Sequence, residues 1–224
     1  TALTAGQVAV LEIADLQALS TAKVAALTTG QVSAFTTAQV AALSTAQVAA
    51  LDTDIGIFSN AQIAALSTAQ VRQLTAGQLS VLSTAQVRAL EAADVAALST
   101  AHIAGLSQAQ VTALSAVQIA ALETAQVRAL SVEQIEVLTT VQVAALETVD
   151  LVALTTVQVE ALKPGQVAAL KTLQIAALSS QQVVAFDTAD VAALGTAQVI
   201  ALRTDQVQAL TVEQVAALSS ANIG

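Results

Sequence analysis

Residues 43–50 read Leu43-Ser44-Thr45-Ala46-Gln47-Val48-Ala49-Ala50, and the whole 224-residue chain is built on this octad. The leucine recurs every eight residues from Leu3 to Leu218, giving 28 rungs, with Phe35, Phe58 and Phe186 as the exceptions. Five residues past each rung stands Val, Ile or Leu, from Val8 to Ile223, one residue sooner in the shortened octad that starts at Leu51. A continuous α-helix turns about 100° per residue, so rungs eight apart would rotate by roughly 80° each time and bury nothing. In a strand the rung and the residue five beyond it would point to opposite faces, and Ala and Gln are poor strand formers. Each octad is therefore expected to be its own short helix.

The start signal supports this register. Ser44 fits the N-cap, accepting from the Gln47 amide, while the Gln47 side chain reaches back to the Ser44 amide in a capping box. Leu43 and Val48 then stand where a hydrophobic staple needs them. The box position is Gln in 20 of the 28 octads, and Pro164 falls at the first helical position, where a missing N–H is harmless. The prediction is a helix of roughly two turns per octad.

Isolated helices shorter than about 12 residues are marginal in water, so each must stack on its neighbours. The expected fold is an all-α solenoid with three octads per coil, two or four being the alternatives. Three is favoured because the anomalies Gly6, Gly30, Leu51–Phe58 and Gly77 fall three octads apart, although Gly165 breaks that spacing. Alanines at the octad's last position (Ala26, Ala50, Ala97, Ala121) would let axes approach. Arg72, Arg88, Arg128, Glu136 and Glu160 one position earlier, and Glu123, Lys163, Lys171 and Arg203 after the rung, should face water. The expectation is one elongated repeat-array domain over 1–224. It starts and ends inside an octad, which reads as a segment of a longer array.

Hydrophobic residues make up 55% of the chain and aromatics 1%. Mean hydropathy is +0.73, yet polar residues interrupt every apolar run well short of the ~18 needed for a membrane span. The net charge of −9 argues against nucleic acid, which needs clustered Lys and Arg. Cysteine is absent, so no disulfide frame is available.

Five octads carry an acid at the box position and another just after the rung: Glu12/Asp15, Asp52/Asp54, Glu91/Asp94, Glu147/Asp150 and Asp187/Asp190. Two readings apply. Paired carboxylates on one face suit Ca²⁺, which takes six to eight oxygens; acids at a helix start also complement its dipole. The second reading is favoured, because two carboxylates do not fill a coordination shell. His102, the single histidine, sits in the Gln slot without a nucleophile and acid to make a catalytic set, so it reads as a box substitution. No catalytic residue, cofactor or resident metal is expected.

Runs such as ALSTAQVAAL (42–51) resemble octapeptide tracts of very large exported bacterial proteins of the adhesin and type I-secreted kind. The resemblance implies a non-enzymatic spacer, scaffold or adhesive element at the cell surface or outside the cell. A protein or surface partner is expected, with end-to-end self-association left open. The alternative function is a Ca²⁺-dependent binding module built on the acid pairs.

Overall fold

A computed structural model describes residues 3–218, and over them the chain is helical, with no strand. Among these residues each octad forms one helix, from Ala5–Ala9 to Val212–Ala217. The helices hold five or six residues, about one and a half turns at 3.6 residues per turn rather than two. They are shorter than expected because the corner takes two or three residues. Leu43 has φ −58°, ψ 140° and Ser44 has φ −67°, ψ 156°. Two successive extended residues turn the backbone out of one helix and present the next N-cap. No separate loop is needed, and no glycine in the described residues has positive φ.

The start signals fold as written. Gln47 N donates to Ser44 Oγ at 3.2 Å, and Ser44 N donates to Gln47 Oε1 at 2.9 Å. Pro164 is the first residue of helix Pro164–Ala168. Where the N-cap is Lys163, Gly195 or Arg203, only the Gln half of the box remains, as in Lys163 N to Gln166 Oε1 at 2.6 Å.

The shortened octad departs from the prediction. Asp52–Ile57 is a 3₁₀ helix entered directly from Leu51 in the helical region, without a side-chain cap. Three residues per turn let seven residues cover the path of eight, and Ile55 still reaches the core. Asp52 takes φ 46° in the process. Asp52 and Asp54 are thus not a cap and box pair, contrary to the sequence reading.

The chain divides into two compact units, 1–113 and 114–224. In the first, each helix packs on the third one along: Ala5–Ala9 on Thr29–Ser33, Thr21–Ala25 on Thr45–Ala50, Thr84–Ala89 on Gln108–Ala113. The second repeats the rule, with Ala116–Ala120 on Thr140–Ala145, Pro164–Ala168 on Thr188–Ala193, and the latter on Val212–Ala217. Three helices therefore complete a coil in each unit, the favoured count.

The core of each unit is made of rungs and the aliphatic residues five beyond, such as Leu43 and Val48, or Leu170 and Ile175. Arg72, Arg88, Arg128, Glu136, Glu160, Glu123, Lys163, Lys171 and Arg203 are all exposed, as expected. Of the alanines at the last position, Ala50, Ala97 and Ala121 are half-buried and Ala26 is exposed. No helix in the described residues is long and apolar enough to cross a membrane.

Candidate functional site

The chemistry of this chain is concentrated in the buried box position. Gln47 is 2% exposed and Gln78 and Gln206 are 0% exposed, so each amide needs partners for both its oxygen and its nitrogen. The oxygen closes the box. The nitrogen leaves its own octad: Gln47 Nε2 donates to Leu16 O and Leu19 O, each at 2.9 Å. Those carbonyls flank the corner one coil back, between helices Ile13–Gln17 and Thr21–Ala25. Gln70 makes the same bonds to Val40 and Leu43 at 2.9 and 2.7 Å. Gln110 makes them to Leu79 and Leu82 at 2.8 and 2.9 Å. In the second unit Gln166 uses Ile135 and Leu138, and Gln206 uses Ile175 and Leu178, at 2.9 and 2.7 Å in both cases.

One residue type thus does two jobs. A Glu would close the box equally well but has no donor to offer the corner behind. The sequence reading saw only the capping role and missed this ladder. The available signal was the dominance of Gln over Glu at a position beside a core residue.

Asp at the same position reverses the direction of the link. Asp94 Oδ2 accepts from Glu91 N at 3.2 Å, and its Oδ1 accepts from Thr68 Oγ1 at 2.8 Å, 26 residues earlier. Asp150 Oδ1 accepts from Thr124 Oγ1 at 2.6 Å, again 26 residues earlier. The coil behind now supplies the proton. Asp190 keeps the local pair, with Asp187 N donating to its Oδ2 at 3.1 Å and its own amide donating to Asp187 Oδ1 at 2.7 Å. Its Oδ1 is buried with no partner. The residue 26 positions earlier is Pro164, which has no hydroxyl. Burial is the main reason the Asp190 carboxyl is pushed up to about 6, helped by the charge of Asp187 and opposed by the Asp187 amide.

His102 keeps the box role of Gln. Ser99 N donates to its Nδ1 at 3.3 Å, and the Leu74 carbonyl, 28 residues back, favours a proton on the ring. Desolvation lowers its pKa, against the raising effect of the Leu74 carbonyl.

Glu12 and Glu147 head their helices without a side-chain cap bond. Glu12, Asp15, Glu91, Glu147 and Asp187 are exposed, whereas Asp94, Asp150 and Asp190 are buried in the links just described. Among the described residues no group of three or more His, Cys, Asp or Glu side chains is gathered as a metal site would require.

Comparison with protein families decides what this ladder belongs to. The model of the ALTTAQ repeat matches residues 8–45, 55–92, 87–124, 118–148, 143–180 and 183–220, which is most of the chain. The chain belongs to the ALTTAQ repeat family. None of the curated proteins compared with it matches.

The surface of the ALTTAQ repeats differs between the two units. In residues 3–113 the second helical position after the N-cap is Ala or Gly in every full-length octad. In the second unit Val117, Val141, Val149, Val157 and Leu173 occupy it, and all are exposed, Leu173 by 75%. Val149 and Leu173, one coil apart, line an open hollow of about 650 Å³ beside Glu147 and Lys171.

Proposed function

We propose that this ALTTAQ array is a non-enzymatic structural element, a spacer or scaffold with an adhesive stretch, within a larger exported bacterial surface protein. The observation that carries the reading is the glutamine ladder. It directs most of the buried glutamines to the backbone of the preceding coil, so the polar chemistry serves the stacking of coils. A spacer needs this, because stacked repeats that contact mainly their neighbours gain length without changing design. The exposed aliphatic side chains from Val117 to Leu173 support a partner-binding role for that stretch, since exposed apolar clusters mark interaction surfaces. Export is supported by the resemblance to exported octapeptide tracts.

Small-angle X-ray scattering on chains shortened by one or two whole coils tests the spacer role, for example by removing residues 66–89. A spacer loses the same increment of maximum dimension for each coil removed. A maximum dimension that stays constant as coils are deleted would overturn it. Fractionation of the producing cell tests export, with recovery solely in the cytosol as the contrary result.

A further inference from the structure

We infer that Asp190 is a proton-operated clasp between two successive coils of the second unit, open when its carboxylate is ionised and closed when it carries a proton.

The geometry makes this site unlike the other buried box positions described. A Gln there donates to the rung carbonyl 28 residues back, as Gln182 does to Leu154 and Gln198 to Leu170, at 2.9 and 2.7 Å. Asp94 and Asp150 forgo that donor but receive a threonine hydroxyl from the coil behind. Asp190 has neither connection. It is 1% exposed, its Oδ1 has no partner, and Pro164 stands where Thr68 and Thr124 stand in the sister sites. A buried carboxylate oxygen without a donor is an unstable arrangement, and uptake of a proton from solvent removes it.

The proton also supplies what the site lacks. Bound at Oδ1, it turns an acceptor into an O–H donor that faces the coil behind, where the Leu162 carbonyl holds the register position served by Gln elsewhere. Asp is one methylene shorter than Gln, so the link closes directly or through one water. The opposite oxygen keeps accepting from Asp187 N, and the helix start stays intact.

The surrounding charges are few. On the same helix start Asp187 is exposed and accepts from the Asp190 amide. Helix Pro164–Ala168, packed against it, has no ionisable side chain, and Lys163 before it is exposed. Helix Val212–Ala217, on the other side, has only the exposed Glu213. Among the described residues no buried cation compensates Asp190.

The direction of coupling follows. The folded chain binds the proton more tightly than the unfolded chain, so the second unit is stabilised on the acid side and loses that stabilisation as pH rises through about 6.

The test is a carbon-13 NMR titration of the Asp190 carboxyl in the intact chain and in P164T and P164A. The wild-type midpoint is expected near pH 6. In P164T the hydroxyl found at the sister sites returns, and the midpoint falls to about 4, the ordinary carboxylate range. In P164A the ring is gone but no hydroxyl is gained, so the midpoint stays near 6. Protection of the amides in helix Thr188–Ala193, taken as the intrinsic exchange rate at each pH divided by the observed one, is expected to rise on acidification in the wild type and to stay constant over that range in P164T. A wild-type midpoint near 4, or an equal fall in P164A and P164T, overturns the proposal.

Discussion

Gln47 joins two coils with one side chain: its Oε1 accepts from Ser44 N at 2.9 Å while its Nε2 donates to Leu19 O, 28 residues earlier, at 2.9 Å. The local bond fixes where a helix begins, and the distant bond fixes which corner that start sits on. Their effects on stability are separable.

Gln110→Glu keeps the box with Ser107 but leaves the Leu82 carbonyl without its donor and places a charge against it. The expected loss is about 2–3 kcal/mol. Ser107→Ala, which removes only the cap hydroxyl, should lose about 1 kcal/mol. Urea unfolding monitored by circular dichroism compares the two. If Gln110→Glu is no worse than Ser107→Ala, the link between coils contributes little.

Proline reads the helix register directly. Thr45 is the first helical residue of its octad, equivalent to Pro164, so Thr45→Pro should change stability by less than about 0.5 kcal/mol. Val48 N donates to Ser44 O at 3.0 Å inside the helix. Val48→Pro breaks that bond and should lose about 3 kcal/mol or more. Thermal melts of both variants decide, and equal losses would place the helix start elsewhere.

Two glycines with opposite surroundings predict opposite signs. A Cβ on Gly56 would lie 3.2 Å from the Val81 carbonyl oxygen and 3.3 Å from its Cγ2, whereas one on Gly30 meets nothing within 4 Å. Gly56→Ala should destabilise by about 1–2 kcal/mol through overpacking against the backbone. Gly30→Ala should stabilise by about 0.5–1 kcal/mol, because alanine restricts the unfolded chain. Chemical denaturation curves check both signs.

His102 titrates in the opposite sense to Asp190. Its neutral ring accepts from Ser99 N, and burial holds its pKa below the ordinary 6.5 against the raising effect of the Leu74 carbonyl. A depressed folded pKa means stability that is present above the unfolded value and lost as pH falls through the folded one. Proton NMR of this single imidazole should give a midpoint under 6.5. His102→Gln should remove the acid-side loss in the first unit, and a midpoint at or above 6.5 refutes the assignment.

Much of the fold was legible in the chain because its causes are local. The capping box, the staple and Pro164 act within five residues, so they mark each helix start without knowledge of its neighbours. The glycine spacing pointed to three octads per coil only by analogy of anomalies, and the packing of helix on third helix along within each unit supplied the actual reason. The shortened octad was misread because a missing residue can be absorbed in several ways; the 3₁₀ geometry of Asp52–Ile57 is set by keeping Ile55 in the core. The site was half visible. Gln47 could be assigned its near partner but not its far one, since no local rule specifies which corner lies 28 residues behind it.

What the sequence determined by itself was the restart of the backbone after every leucine rung, because caps and staples are short-range interactions among neighbouring residues. What only the tertiary structure decided was the partner of each buried polar group. Asp94, Asp150 and Asp190 follow one motif, and the first two are satisfied while the third is stranded. The difference is a threonine or a proline 26 residues away, and stacking alone brings that residue to the carboxylate.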